Sequence, residues 1–256
     1  MASSTALIDS DLLVYAIGFV FDESVSERVV MNKVDDRIEG IMNAARCNTN
    51  ICFITRPRDN FRYDVATVGK YKGNRLQVKP FHYEFIRDYI KHEHSAVESS
   101  GCEADDTIAD AMVADREGSV ICSIDKDLET IWGWNYKWGV QGRPAKGLRY
   151  ISPHEAHRFL CKQMLMGDTI DCITGVYGIG PKKAESILNR CEDDYMQAVK
   201  QTYRDIYGDS IKYQTWRGEW VERTSTEIME EMHELLFIGT GKSRVHSRER
   251  WFGRGT

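Results

Sequence analysis

No stretch of the sequence approaches the roughly 20 consecutive apolar residues that a membrane-spanning helix requires. The opening residues, MASSTALIDSDLLVYAIGF, lack a basic segment and carry Asp9 and Asp11 inside their apolar part, so a secretory leader is not expected. The seven cysteines (47, 52, 102, 122, 161, 172 and 191) are odd in number, scattered and never in a CxxC pair. That pattern suggests neither a disulfide framework nor a zinc knuckle, and it fits a reducing cytoplasm with no membrane partner. A strong surplus of one charge is also missing, since 39 Asp and Glu stand against 34 Lys and Arg, a formal net charge of −5. What is present is a globular composition, 42% hydrophobic and 29% charged, which excludes a disordered, collagen-like or low-complexity chain. The 256 residues suit one large domain, or a main domain with a small appendage.

On totals alone a mildly acidic chain is a poor candidate for nucleic acid, but the charges are unevenly placed. Residues 55–79 hold seven basic side chains (Arg56, Arg58, Arg62, Lys70, Lys72, Arg75, Lys79) against Asp59 and Asp64, a net of +5. Residues 103–129 hold nine acids against Arg116 and Lys126, a net of −7. Two solvated faces of opposite sign would account for this. So would a cationic track for a polyanion beside carboxylates that hold divalent cations.

Three apolar runs read as buried strands: ALI at 6–8, ICFI at 51–54 and SVICSI at 119–124. Helical spacing of apolar residues falls between them, over 33–46, 80–92 and 104–116, with Gly118 as a stop for the last. Strands alternating with helices predict an α/β fold, a mostly parallel central sheet flanked by helices. Residues 132–150 read as short strands or loop. From Ser152 and Pro153 the pattern turns mostly helical, and the polar, basic tail after Gly239 is expected to be poorly ordered. The expected organisation is an α/β core over 1–151, a helical region over 152–240 and a basic tail over 241–256.

Asp9 directly follows the first apolar strand, and Asp125 directly follows the third with Asp127 two residues later. In a parallel sheet the carboxyl ends of the strands are where ligands bind. Glu103, Asp105 and Asp106 open the 104–116 helix, where acids also serve as plain caps that complement the helix dipole. Asp168 and Asp171 are three apart and would share a face of a helical turn. Two carboxylates about 4 Å apart repel by roughly 4 kcal/mol at an effective dielectric near 20, so converging acids need cations. With only Arg116 and Lys126 in the acidic segment, hard divalent ions such as Mg²⁺ or Mn²⁺ are the more economical counter-charge, and the lack of His or Cys argues against zinc. His92/His94 and His154/His157 read as ordinary surface or partly buried pairs. Further on, GVYGIG is followed by Pro181 and a helix beginning KKAESIL. Gly178 and Gly180 would let the backbone approach a phosphate, and a helix amino end carrying Lys182 and Lys183 favours an anion. A glycine-rich connection between helices is the plain alternative.

Together, LIDSD, YKGNR (71–75), EADD (103–106), SIDKD (123–127), GDTID (167–171) and GVYGIGPKKA (175–184) resemble the flap-endonuclease and 5′-nuclease superfamily, especially bacteriophage 5′→3′ exonucleases and the 5′-nuclease domain of bacterial DNA polymerase I. The resemblance spans about residues 6–190. It implies two divalent ions, one surrounded by Asp9, Glu103, Asp105, Asp106 and Asp125, the other served by Asp127, Asp168 and Asp171. Lys72 and Arg75 match basic residues at the base of an arch or gateway, here about 70–98, that contact the scissile phosphate. Residues 163–190 match a helix-three-turn-helix, which in some members binds K⁺; the matching positions are Leu165, Met166, Thr174, Val176 and Ile179. One departure is plain. The family carries a further metal-binding Asp just after the strand matching ICFI, whereas this chain reads TRPRDNFR, with Thr55 or Pro57 in that neighbourhood and Asp59 the nearest acid.

The resemblance implies a monomeric, Mg²⁺- or Mn²⁺-dependent, structure-specific 5′ nuclease acting on DNA with a 5′ end, flap or branch in replication, repair or recombination, in the host cytoplasm if the gene is a phage's. Tyr71 is a candidate to stack on a base, or a core residue. Two alternatives stand beside this: RNase H-like removal of RNA primers from an RNA–DNA hybrid, and a weakly catalytic branched-DNA-binding protein of the same fold.

Overall fold

The computed structural model describes residues 4–75, 78–140, 142–191 and 194–252, with the side chains of Lys242, Ser243, Val245, His246, Arg250 and Trp251 outside the description. Contacts divide the chain into two compact units. The first is Met1–Asn60, Gln77–Pro153 and Ile238–Thr240; the second is Phe61–Leu76, His154–Phe237 and Gly241–Thr256. The division is therefore not linear. The segment beginning at Phe61, expected within the α/β core, packs with the second unit.

In chain order the elements begin with β1 (Thr5–Asp9), α1 (Ser10–Gly18), α2 (Glu27–Ala45), β2 (Thr49–Ile54), α3 (Arg62–Val65), α4 (Tyr83–Glu93), β3 (Val97–Glu98), α5 (Ala104–Ala114), β4 (Ser119–Cys122), β5 (Gly133–Lys137) and β6 (Gly147–Ile151). Of these only α3 belongs to the second unit. The sheet runs β3-β2-β1-β4-β5-β6, parallel throughout except for the antiparallel edge strand β6. The apolar runs read as strands are β1, β2 and β4, and both faces of the sheet are buried. Ala6, Ile8, Cys52, Ile54 and Cys122 pack on one face with α1, α2 and α4. Leu7, Phe53 and Ile121 pack on the other with Ile108 and Met112 of α5. Alternate side chains of a strand point to opposite faces, so a strand covered on both sides must be apolar throughout.

Two expectations change here. Helix α5 stops at Ala114 rather than at Gly118, and Gly118 instead sits in the turn into β4, its N–H donating to Asp115 (3.0 Å). Helix α4, within the span expected as an arch, is a core helix: Ile86 and Ile90 are fully buried in the α1–α2 cluster. Leu76 and Gln77, at the start of that span, lie outside the described residues.

The second unit continues with α6 (Pro153–Met166), α7 (Pro181–Leu188), α8 (Tyr195–Tyr207), β7 (Ser210–Gln214), β8 (Trp220–Thr224), α9 (Ser225–Leu236) and α10 (Gly241–Phe252). Its core gathers Leu160, Met164 and Leu165 of α6, Ala184 and Leu188 of α7, Val199 and Tyr203 of α8, and Met229 and Met232 of α9. The β7–β8 hairpin interrupts the mostly helical pattern that was expected. The tail is corrected too. Gly241–Phe252 is a helix, tied to α9 by Arg244 on Glu234 (3.1 Å) and Arg248 on Glu230 (3.1 Å). The side chains of the basic residues Lys242 and Arg250, and all of Arg254, lie outside the described residues.

Candidate metal and phosphate sites

Within the first unit, the parallel order puts the carboxyl ends of β1, β2 and β4 along one edge of the sheet, and the chain leaves each strand there with a polar group. Asp9 ends β1 and caps α1, accepting from Leu12 N (3.4 Å) and from the Ser123 hydroxyl (2.6 Å). Its side chain is buried, and burial together with the nearby charges of Asp11 and Asp125 raises its pKa to about 7, although the Ser123 hydrogen bond acts the other way. Asp125 follows β4. Its N–H donates to Ser123 Oγ (3.0 Å) and its Oδ1 accepts from Asp127 N (2.8 Å). Asp127 pairs with Lys126 (3.1 Å).

Asp11, in the first turn of α1, also lies in this group. Its pKa is raised, first by burial and also by the charge of Glu103, while Thr55 and Arg87 act in the opposite sense. Glu103 is the N-cap of α5 and forms a capping box with Asp106, whose Oδ2 accepts from Glu103 N (3.1 Å). The other oxygen of the fully buried Asp106 accepts from Gly239 N (2.9 Å). The capping reading of the EADD triplet is thus realised for Asp106, whose two carboxylate oxygens both take backbone amides.

Asp59 does not join these acids through any hydrogen bond. Its Oδ2 accepts from Gly101 N (2.8 Å) and Ser100 Oγ (3.3 Å), holding the loop before α5. Among the described residues no three His, Cys, Asp or Glu side chains stand together in a way that could hold a metal ion. The acids nearest Asp9, Asp11 and Asp125, offer oxygen ligands only, the donor type that hard divalent cations take.

Within the second unit, Asp171 is the centre of a second arrangement. Arg75 reaches its Oδ1 (2.6 Å), Lys72 (3.8 Å) and the Tyr71 hydroxyl (3.1 Å) reach Oδ2, and the Lys72 N–H donates to the Asp171 carbonyl (2.9 Å). Lys72 sits at φ 53°, a left-handed conformation that a non-glycine residue holds only when its surroundings fix it. The base-stacking role considered for Tyr71 is overturned. Its ring is 3% exposed inside the second core, so no face is open to a base. An exposed aromatic of the same unit is Tyr177, at 83%. Asp168 caps the 168–171 turn through Ile170 N (2.8 Å), and its backbone pairs in both directions with Ile173 (2.8 Å each).

The segment from α6 to α7 is a tight hairpin. Gly167 (φ 72°) and Gly175 (φ 61°) cross backbone to backbone, where a Cβ on Gly175 would lie 2.3 Å from Gly167 N. Of the five positions matched to K⁺ binding, the carbonyls of Leu165 and Val176 already accept from Val176 N (2.9 Å) and Ile179 N (3.1 Å). Gly178 and Gly180 differ from the crossing pair: a Cβ at either would meet nothing. Gly180 caps α7, Pro181 fills its first turn, and Lys183 Nζ folds back onto the Gly178 carbonyl (2.9 Å). Both histidine pairs have structural partners, His94 with Asp35 (2.9 Å) and His154 with the Tyr195 hydroxyl (2.8 Å). The seven cysteines are free thiols.

Sequence reading missed Asp11, because a second acid two residues into an apolar run carries no signal of its own. It also missed Arg87, whose guanidinium binds Asp11 from α4.

No protein-family model and no curated protein sequence matches the chain. Solved structures do. The D15 protein of bacteriophage T5, crystallised with metal ions, superposes with a TM-score of 0.63 at 18% identity, covering 96% of this chain and 93% of its own. The D15 flap endonuclease in a pseudo-enzyme–product complex with DNA and metal ions gives 0.56 at 16% identity, over 91% and 99%. The catalytic core of Rad2 in complex with DNA substrate gives 0.51 at 10% identity, over 99% and 79%. The chain has the fold of these proteins, a mostly parallel sheet flanked by helices and followed by a helical region.

Proposed function

We propose that the protein is a divalent-metal-dependent, structure-specific 5′ nuclease that hydrolyses phosphodiester bonds of DNA at a 5′ end, flap or branch. The observation that carries this reading is the set of carboxylates at the carboxyl edge of the sheet, with buried Asp9 set between the charges of Asp11 and Asp125. Structural repulsion of that kind destabilises a fold unless a cation offsets it, and a site built for Mg²⁺ or Mn²⁺ offers that compensation. Metal ions have been crystallised with the T5 D15 protein, and DNA with that protein and with Rad2, which supports the same chemistry here.

In this reading Asp9, Glu103, Asp105 and Asp125 hold the ions in the first unit, with Asp106 fixing the α5 cap that presents Glu103. The sequence resemblance, and nothing in the geometry, assigns Asp127, Asp168 and Asp171 to a second ion. When bound, such ions supply an activated water and Lewis-acid stabilisation of the phosphoryl oxygens. Lys72 and Arg75 bind phosphate and offset the charge that develops on it, which requires that they leave the Asp171 carboxylate. Lys182, Lys183, Gly178, Gly180 and the amino end of α7 hold the duplex backbone in the manner of a helix-three-turn-helix. The carbonyls of Leu165, Met166, Thr174, Val176 and Ile179 are proposed to hold K⁺ in the same hairpin. Contacts of this kind position a duplex without reading bases, so cleavage follows DNA structure and not sequence.

The test is a panel of 5′-labelled substrates of one sequence: flap, recessed duplex, blunt duplex, single strand and the RNA–DNA hybrid. Cleavage concentrated at the 5′ flap or recessed end, leaving a 5′-phosphate on the shortened strand, is the expected result. Preferential loss of the hybrid's RNA strand would favour primer removal. Salt-sensitive binding without turnover in Mn²⁺ would favour a branched-DNA-binding protein.

A further inference from the structure

The basic track between residues 55 and 79 places Arg62, Lys70, Lys72 and Arg75 in the second unit. Three of them are engaged there. Arg62 is buried on the carbonyls of Leu235 and Phe237, and Lys72 and Arg75 reach Asp171. Lys70 differs. It is exposed, no carboxylate among the described residues pairs with it, and its Nζ lies 5.6 Å from the centroid of the Trp216 ring. Its stem runs along Gly73, where a Cβ would come within 3.0 Å of Lys70 Cβ and 3.1 Å of Cδ.

The same indole carries a second cation. Arg217 Cζ stands 4.6 Å from the Trp216 centroid, also with no carboxylate partner among the described residues. The turn between β7 and β8 that bears both residues is fixed on the 63–67 segment. The Trp216 main-chain N–H donates to the Thr67 carbonyl (3.1 Å), the indole N–H donates to the Ala66 carbonyl (2.8 Å), and Arg217 donates to the carbonyls of Ala66 (3.3 Å) and Tyr63 (3.0 Å). Closing the carbonyl end of α3 is a plain structural task for Arg217. It leaves the guanidinium charge unneutralised, and it gives no task to Lys70. Two cations on one indole repel each other, and the ring offsets only part of that cost. A turn that needed only anchoring is anchored already by the indole and the main chain. An anion shared by the two cations turns their repulsion into binding.

Lys70 also adjoins the pair assigned to the reacting phosphate. Gly73 N donates to the Lys70 carbonyl (2.9 Å) and Arg75 N to the Lys72 carbonyl (3.2 Å), so one compact turn carries Lys70, Lys72 and Arg75. We propose that Lys70 and Arg217, held on the Trp216 indole, form a subsite for a backbone phosphate of the substrate DNA, next to the phosphate that Lys72 and Arg75 take. The inference rests on the nuclease reading above and extends its phosphate contacts to the β7–β8 turn, which lies beyond the residues that carry the sequence resemblance.

Binding of a fluorescein-labelled 5′-flap DNA is measured by anisotropy in Ca²⁺, from about 50 to 200 mM salt, on full-length wild type, Lys70→Gln, Arg217→Gln, the double variant and Lys212→Gln, with melting curves alongside. Lys212 is the control, a cation of the same hairpin already paired with Glu222 (3.4 Å). The double variant is expected to flatten the log–log salt dependence by about 1 and to bind at least about five-fold more weakly at the low-salt end, with Lys70→Gln changing in the same direction at a wild-type melting temperature and Lys212→Gln matching wild type. Single neutral methylphosphonate linkages are then scanned along the substrate strand. One linkage that weakens wild type should cost the double variant nothing further, a readout that a purely structural role would not move. If Arg217→Gln melts lower, the slope of Lys70→Gln decides. A wild-type slope for a folded Lys70→Gln overturns the inference, as does a Lys212→Gln slope flattened equally, or a double variant that stays sensitive at every linkage to which wild type is sensitive. Where wild type binds the flap and any of these results is found, the subsite alone fails and the nuclease reading stands. If wild type does not bind the flap, both fail.

Discussion

Replacing Asp9 by Asn removes one charge from the centre of the sheet edge and little else, because Asn caps a helix as well as Asp and can still accept from Ser123. Without metal this charge is a burden. The Asp9 carboxyl rises from an ordinary value of 3.8 to about 7, chiefly through burial. At about 1.36 kcal/mol per pKa unit, that is a penalty of about 4 kcal/mol on the ionised folded state. Local relaxation and water entry leave about 2 kcal/mol as the working figure. The folded protein keeps this proton to higher pH than the unfolded chain does. The group's contribution to stability is therefore intact below about pH 4, is lost as pH rises towards about 7, and is level beyond. Asn has no such slope. In EDTA at pH 8 the variant should melt higher than wild type by roughly 4–8 °C, given about 2–4 °C per kcal/mol for a chain of this size. The gap should close on acidification to pH 4. Adding Mn²⁺ should raise the melting temperature of wild type and leave Asp9→Asn nearly unmoved. Calorimetric melts from pH 4 to 8, with EDTA or Mn²⁺, check all three. A variant that melts lower than wild type in EDTA at pH 8, with a parallel pH profile, would refute the claim that Asp9 is held against its own ionisation.

Three further outcomes follow from other parts of the molecule. Gly175→Ala should destabilise the second unit by more than about 3 kcal/mol, since its Cβ has only backbone to meet and its φ is 61°; a near-native denaturation midpoint would contradict the close crossing with Gly167. Glu231→Gln should cost about 2–4 kcal/mol, because the nearly buried carboxylate accepts from the amides of Thr67 (2.7 Å) and Val68 (3.0 Å) and pairs with Arg223 (2.5 Å); urea unfolding measures it. The double change Lys182→Ala with Lys183→Ala should weaken duplex binding and flatten its log–log salt dependence by about 1–2, whatever the sequence; an unchanged slope would remove α7 from the DNA-binding surface.

Much of the first unit was legible because parallel strands covered on both faces leave continuous apolar runs, and from three such runs the carboxyl edge and the placement of Asp9 and Asp125 followed. Helix α1 was not legible. Its apolar residues, LLVYAIG, resume the character of β1 after only Asp9, Ser10 and Asp11, and the capping side chain of Asp9 marks the change. The β7–β8 hairpin hid for the opposite reason. Its inward residues, Ile211, Tyr213, Val221 and Arg223, are only half-buried, so the alternation is faint against a helical background. Buried charges gave no sequence signal. Arg62 donates to the carbonyls of Leu235 (2.9 Å) and Phe237 (3.0 Å), more than 170 residues away, and nothing near Arg62 in sequence foretells it. The basic tail looked solvated because its partners, Glu230 and Glu234, lie on a preceding helix. At the site, the residue types were readable but their division of labour was not, since whether an acid caps a helix, holds a loop or faces other acids depends on which backbone amides reach it. Asp106, Asp59 and Asp11 are one example of each.

Whether these carboxylates serve metal-dependent cleavage at 5′ structures is decided by single-turnover hydrolysis of a 5′-labelled flap with Mg²⁺ and with EDTA, for wild type and Asp125→Ala. Wild type should cleave in Mg²⁺ alone, with the variant slower by at least about 100-fold, as expected for loss of a group that stabilises the transition state. Cleavage that persists in EDTA, or an Asp125→Ala protein with the wild-type rate, would contradict it.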